Sequence, residues 1–203
     1  DINCVVVGAA VTAGNNAADI MGTLAALNFI QENDVLVASV SKHQGCAAAG
    51  DRVMGMVIPD GDYGAYREQL VLNQDAVVLA PKNTSHEEAC TLPMNSLTAR
   101  LSLDLLNLKP GQVIAVTGGP GAYGGYVIQL AKADGLKVLA DSNQNDESLL
   151  KDLGVDIIIS RDKNYVDQVR DHFPNGVDGL ADGALLNEKA IDAVRDGLSL
   201  IHI

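Results

Sequence analysis

Tryptophan is absent and phenylalanine occurs twice in 203 residues, so aromatic side chains make up only 3% of the chain. That is too few for the stacking platforms on which single-stranded nucleic acids rest. Positive charge is scarce too: 14 Lys and Arg stand against 26 Asp and Glu, a formal net charge of −12. So acidic a chain lacks the basic face that DNA, RNA or an anionic membrane surface requires. The three cysteines, Cys4, Cys46 and Cys90, are scattered and form no CxxC pair. This excludes a disulfide framework, argues against a structural zinc cage and suits a reducing, cytoplasmic setting. No apolar run approaches the ~18 residues of a membrane span.

What remains is a globular composition, 47% hydrophobic and 20% charged, with two textures along it. Residues 1–93 carry short apolar runs broken by Gly, Asp and Asn, among them CVVVGAAV, DVLVASV, DRVMGMVI and DAVVLA. These are strand patterns with turn punctuation and predict a β-rich domain. Residues 94–197 change rhythm. A helix is expected over Asn95–Asn107, with Leu97, Leu101, Leu105 and Leu108 on its inner side. Apolar runs at Val113–Val116, Val138–Ala140, Val155–Ile159 and Val177–Ala181 alternate with helical patterns around Tyr123–Ala131, Leu149–Leu153, Tyr165–Phe173 and Glu188–Val194. Strands alternating with helices at this spacing call for parallel strands joined by right-handed crossovers: an α/β, doubly wound sheet.

Both ends read as cut. The chain opens at Asp1 with Val5–Val7 already resembling a strand interior, and its last six residues, LSLIHI (Leu198–Ile203), resemble the translation of a transposon-end sequencing adapter. That tail is expected to lie outside the fold.

The most informative segment is Val116–Gly125, VTGGPGAYGG, which contains Gly119-x-Gly121-x-x-Gly124 between an expected strand and an expected helix. In such a loop the first glycine permits a tight turn, the second lets a pyrophosphate approach the backbone, and the third lets the helix pack closely. The free N–H groups and positive dipole end of the helix then face the phosphates. The next strand ends in Asp141, where a carboxylate can accept hydrogen bonds from an adenosine ribose. Ser142–Leu150 contains no Lys or Arg. By charge, NADH is therefore expected over NADPH, although Ser142, Asn143 and Gln144 offer polar groups that can also bind a phosphate.

These residues resemble the medium-chain dehydrogenase/reductase superfamily, and within it the zinc-independent quinone oxidoreductase branch. The likeness is carried by Gly50–Val57, Gly61–Leu72, Ser85–Lys132 and Val177–Leu185. It implies an incomplete GroES-like β domain (1–93) before an incomplete Rossmann domain (94–197) that holds NADH or NADPH, with the family leaning to NADPH. It also implies hydride transfer to a quinone or α,β-unsaturated carbonyl, usually by a homodimer. Carried over by residue, Gly119, Gly121, Ala122, Tyr123 and Gly124 occupy the phosphate loop. Thr98 falls where relatives approach the nicotinamide, Asn16 matches an asparagine near nicotinamide and substrate, and Asp141 with Ser142 falls at the ribose position. Departures include Pro120, which has no N–H, Tyr123 in place of a smaller residue, and an end after four Rossmann strands where six are usual. The 203-residue chain is accordingly expected to show weak or no turnover.

Competing readings have less behind them. No His precedes Asp34, so the ligand set of zinc alcohol dehydrogenases is missing and no metal is expected. His86-Glu87-Glu88-Ala89-Cys90 lacks the second His of HExxH, and Ser85-x-x-Glu88 reads as a capping box. The Tyr-x-x-x-Lys pair of short-chain dehydrogenases is absent, since Val169 follows Tyr165 at that spacing. A non-catalytic nucleotide-sensing or scaffold protein on the same fold is the alternative from a different functional class.

Overall fold

The computed structural model describes residues 51–56, 76–161 and 163–202. The chain divides into two compact units, Asp1–Met94 and Asn95–Ile203. In the first, strands β1 (Val53–Gly55) and β2 (Val77–Leu79) pair antiparallel, with Met54 opposite Val78. They fall in two of the apolar runs singled out in the sequence; the runs around Val5 and Val35, and Asn16, lie outside the described residues. Helix α1 (His86–Leu106) starts at the expected capping box. The Ser85 N–H donates to Glu88 Oε2 at 2.8 Å, and the Glu88 N–H donates to Ser85 Oγ at 3.2 Å.

The second unit is a doubly wound, Rossmann-type sheet. After α1 come β3 (Val113–Thr117), α2 (Ala122–Ala133), β4 (Lys137–Ser142), α3 (Glu147–Asp152), β5 (Ile157–Ser160), α4 (Tyr165–His172), β6 (Val177–Asp182), α5 (Glu188–Ile191) and β7 (Val194–His202). The strand order is β5-β4-β3-β6-β7, all parallel. The chain moves outward from β3 to β5 and then crosses to the other side of β3. Such a reversal opens a crevice at the carboxyl ends of the central strands, where ligands of open α/β sheets bind.

Alternating side chains of the strands feed two cores. Ile114, Val116, Val138 and Ala140 pack with Ala99, Leu103 and Leu106 of α1 and with Val127, Ile128 and Ala131 of α2. Ala115, Leu139, Ile159 and Leu180 pack with Val169 of α4 and Ala190 of α5.

The structure corrects three expectations. The inner side of α1 is Ala99, Leu103 and Leu106; Leu97, Leu101 and Leu105 are 52–63% exposed. Leucine spaces both stripes of this helix, so periodicity alone could not tell the inward one from the other. The tail set apart as outside the fold is paired in it: β7 runs through Leu198 to His202, with Leu200 beside Leu180 and Ile201 beside Ala181. The helix expected from Glu188 is a single turn, and Val194 already begins a fifth parallel strand. The physical reason is the open edge of β6, whose unpaired backbone groups the segment satisfies.

Candidate functional site

The loop from β3 to α2 lies at the carboxyl end of the central strand. Gly118 turns the chain with φ +67°, a conformation that favours glycine. The tight turn thus belongs to Gly118, one residue earlier than the sequence pattern assigns it. Gly119 instead permits a close approach. A Cβ there would sit 3.1 Å from the Ala140 Cβ and 3.2 Å from Leu150, so the loop lies close against β4 and α3. Gly124 is the most constrained, since its Cβ would come within 2.4 Å of the Gly118 carbonyl oxygen. The first turn of α2 therefore rests directly on the backbone leaving β3.

Gly121 caps α2 without a side-chain acceptor. It and Ala122 are exposed, so this helix start is open to solvent. Pro120 precedes the cap, and its missing N–H costs the helix no hydrogen bond. Tyr123 turns away from this opening. Its hydroxyl donates to Ser102 Oγ at 2.9 Å, and Ser102 donates to the Thr98 carbonyl at 2.8 Å. Burial, partly offset by the Ser102 contact, raises the Tyr123 phenol above its ordinary pKa. Tyr123 and Thr98 are thus joined through the inner face of α1.

Asp141 and Ser142 end β4, and both are buried. Asp141 Oδ1 accepts the Gly118 N–H at 2.6 Å, tying the end of β4 to the glycine turn. Asp141 Oδ2 accepts from Arg161 Nε at 2.7 Å. Ser142 Oγ donates to the Asn143 carbonyl at 2.7 Å, and the Asn143 side chain binds Asp146 and the Asn145 N–H. Asn143 is thereby committed to its own turn.

The structure adds residues that the sequence did not single out. Arg161 follows β5, and its N–H continues the ladder to the Ser142 carbonyl at 2.9 Å. Adjacent parallel strands end at the same edge, so the residue after β5 was available as a signal. A cavity of about 470 Å³ opens there, with Asp141, Arg161, Lys163, Tyr165, Leu186 and Lys189 in its wall. The Tyr165 hydroxyl is buried and, among the described residues, has no hydrogen-bond partner. Burial foremost, then the charges of Asp141 and Asp182, pushes this phenol well above the ordinary tyrosine range.

Asp182, fully buried at the end of β6, organises the opposite wall. It accepts from Thr117 Oγ1 at 2.5 Å and from the N–H groups of Ala184, Leu186 and Asn187 at 2.8–3.2 Å. It holds a turn in which Leu185 and Asn187 both adopt positive φ.

An open, glycine-lined helix start, a buried carboxylate at the end of the next strand and an adjoining polar cavity sit together at the carboxyl edge of the sheet, where open α/β folds bind their ligands. The open cradle and the orphaned Tyr165 hydroxyl both fit a nucleotide. No protein-family model matches the chain, but several of its relatives are named as reductases or oxidoreductases. It is 35% identical over 159 residues to the 2-methylene-furan-3-one reductase of Solanum lycopersicum, covering 75% of this chain and 40% of that protein. It is 29% identical over 180 residues to the chloroplastic NADPH-dependent alkenal/one oxidoreductase of Arabidopsis thaliana, covering 88% of this chain and 42% of the relative. The fold is similar to that of the Coxiella burnetii quinone oxidoreductase, with a TM-score of 0.72 and 22% identity, over 98% of this chain and 66% of that one. These relatives are members of the medium-chain dehydrogenase/reductase superfamily, which the chain resembles over most of its length. The chain spans about two fifths of the length of the curated relatives it matches.

Proposed function

We propose that the protein is an NAD(P)H-dependent oxidoreductase that reduces a quinone or an α,β-unsaturated carbonyl compound without zinc. The observation that carries this reading is the open start of α2, set on Gly118 and tied to Asp141 at the crevice of the sheet. Gly119, Gly121, Ala122, Tyr123 and Gly124 form the cradle, in which the first-turn N–H groups and the helix dipole favour a diphosphate. Asp141 and the cavity beyond it take the adenosine end.

The bound dinucleotide would supply the hydride, and the protein's part is to hold and orient it. Asp182 keeps the turn after β6 closed against the glycine loop. Its bond to Thr117 joins the carboxyl ends of β3 and β6, so the crevice keeps its width. The Tyr123–Ser102–Thr98 connection fixes the start of α2 against α1. Thr98 is proposed to face the nicotinamide end, and Asn16 to orient nicotinamide or substrate. The names of the two curated relatives, a furanone reductase and an alkenal/one oxidoreductase, favour a conjugated carbonyl as acceptor.

The test is stopped-flow oxidation of NADPH and NADH by the full-length protein, of which these 203 residues are expected to be a part, across a panel of quinones and enones. Acceptor-dependent oxidation is the expected result. Saturable binding with no turnover on any acceptor would instead favour the nucleotide-sensing alternative.

A further inference from the structure

We infer that Asn175 is a site of spontaneous deamidation, held in check by the turn that docks β7 and, once converted to isoaspartate, unable to restore that turn. Asn175-Gly176 is the only Asn-Gly pair in the chain. Glycine has no Cβ to shield its own amide nitrogen, so that nitrogen can attack the side-chain amide of the asparagine before it. The Gly176 nitrogen loses its proton and bonds to Asn175 Cγ. The Cγ–Nδ2 bond breaks, ammonia leaves, and a five-membered imide remains. Water then opens the imide at one carbonyl or the other, giving aspartate or isoaspartate. No oxidant or reductant takes part. Asn175 is exposed, so water reaches it.

In the fold the attacking nitrogen is occupied. Phe173 to Gly176 form a four-residue turn, closed by the Gly176 N–H donating to the Phe173 carbonyl at 2.7 Å, an ordinary turn geometry. Arg170 of α4 holds this turn from its flank. Its Nη1 donates to the Pro174 carbonyl and its Nε to the Asp192 carbonyl, both at 2.8 Å. The turn is thereby pinned to the chain that enters β7. Gly176 has φ +84°, and a Cβ there would stand 2.7 Å from the Arg195 nitrogen and 2.8 Å from the Ala193 carbonyl oxygen. The next residue, buried Val177, donates to the Ala193 carbonyl at 2.9 Å and pairs with Val194 at the start of the β6–β7 ladder. Attack therefore requires the turn to open, and the rate follows the population of that open state. Isoaspartate routes the main chain through Cβ and adds one backbone atom before Gly176. A turn packed this closely has no room for it, so the ladder loses its start. Aspartate leaves the backbone length unchanged and is tolerated.

The experiment incubates the protein at mildly alkaline pH, once folded and once in urea above its unfolding midpoint. Tandem mass spectrometry of the digested chain follows the mass gain at each asparagine, and isoaspartyl methyltransferase labelling follows isoaspartate. In urea Asn175 should deamidate ahead of every other asparagine, and in the folded chain at least tenfold more slowly than in urea. Arg170→Gln releases the pin. It should speed the folded-state reaction at least threefold and leave the rate in urea unchanged. After refolding, the isoaspartyl fraction should show a lower urea midpoint than the unmodified protein, while Asn175→Asp keeps it. Equal rates in the folded and unfolded chain overturn the inference, as does an Asn175 that stays intact in urea. So does an isoaspartyl fraction that refolds with the unmodified midpoint. The comparison of the unaltered protein in buffer and in urea decides the matter even if circular dichroism shows Arg170→Gln to be unfolded.

Discussion

Gly124 and Asp182 carry the residue-scale argument, because each has a role that a single atom decides. A methyl group at position 124 would stand 2.4 Å from a backbone oxygen that cannot move without shifting β3. Gly124→Ala is expected to cost about 1–3 kcal/mol in urea unfolding and to weaken dinucleotide binding, because α2 must draw back from its cradle. Unchanged stability and affinity would show that the helix start is not so constrained. Asp182 is fully buried and accepts four hydrogen bonds. Asp182→Ala leaves those donors unsatisfied and is expected to destabilise the chain by about 3–5 kcal/mol, read from the same unfolding curves.

Tyr165 makes the opposite prediction. Its hydroxyl has no partner among the described residues, so Tyr165→Phe is expected to leave stability unchanged or raise it slightly, while weakening nucleotide binding. It also sets an alkaline dependence. Burial, with Asp141 and Asp182 nearby, raises the folded-state pKa above the value in the unfolded chain. The neutral phenol therefore stabilises the fold fully below about pH 10, and that contribution is lost as pH rises further, because only the unfolded chain ionises there. Urea midpoints measured from pH 8 to 11 should fall more steeply for the unaltered protein than for Tyr165→Phe.

At the scale of elements, the glycine loop was legible because its close packing and positive φ restrict residue type at fixed spacing, and Asp141 because it ends a short apolar run. The strands were legible as apolar runs, with ends displaced by a residue or two: Val138–Ala140 was expected and Lys137–Ser142 is observed. Helix α1 shows what such patterns miss. It carries leucine at 97, 101 and 105 as well as at 103 and 106, and only packing separates the stripes. Because Leu101 is 59% exposed, Leu101→Lys is expected to change unfolding free energy by less than about 0.5 kcal/mol and to reduce light scattering at high protein concentration. A loss of several kcal/mol would show that this face is covered in solution. Arg161 escaped notice for a different reason. It lies 20 positions from Asp141, and only the parallel pairing of β4 with β5 brings the two together.

The whole unit is a sheet whose two ends are held by different chemistry. At the amino ends, carboxylates staple neighbouring strands: Asp178 accepts the Val113 N–H at 2.8 Å and pairs with Arg195, and Asp156 accepts the Val138 N–H at 2.7 Å and pairs with Lys132. At the carboxyl ends, Asp141 and Asp182 bind loop N–H groups and shape the crevice. No such division can be read from one dimension, because each staple depends on strand order. β7 was missed on the same grounds: its apolar residues acquire meaning only beside the open edge of β6. The central claim, that the backbone between Thr117 and Gly125 receives a dinucleotide diphosphate, is tested most directly by amide proton–nitrogen NMR spectra of the labelled protein titrated with NADPH. Saturable shifts concentrated at Gly118–Gly125, with further shifts at Asp141 and Arg161, are the predicted result. A folded spectrum in which those amides stay still while NADPH is added would contradict it.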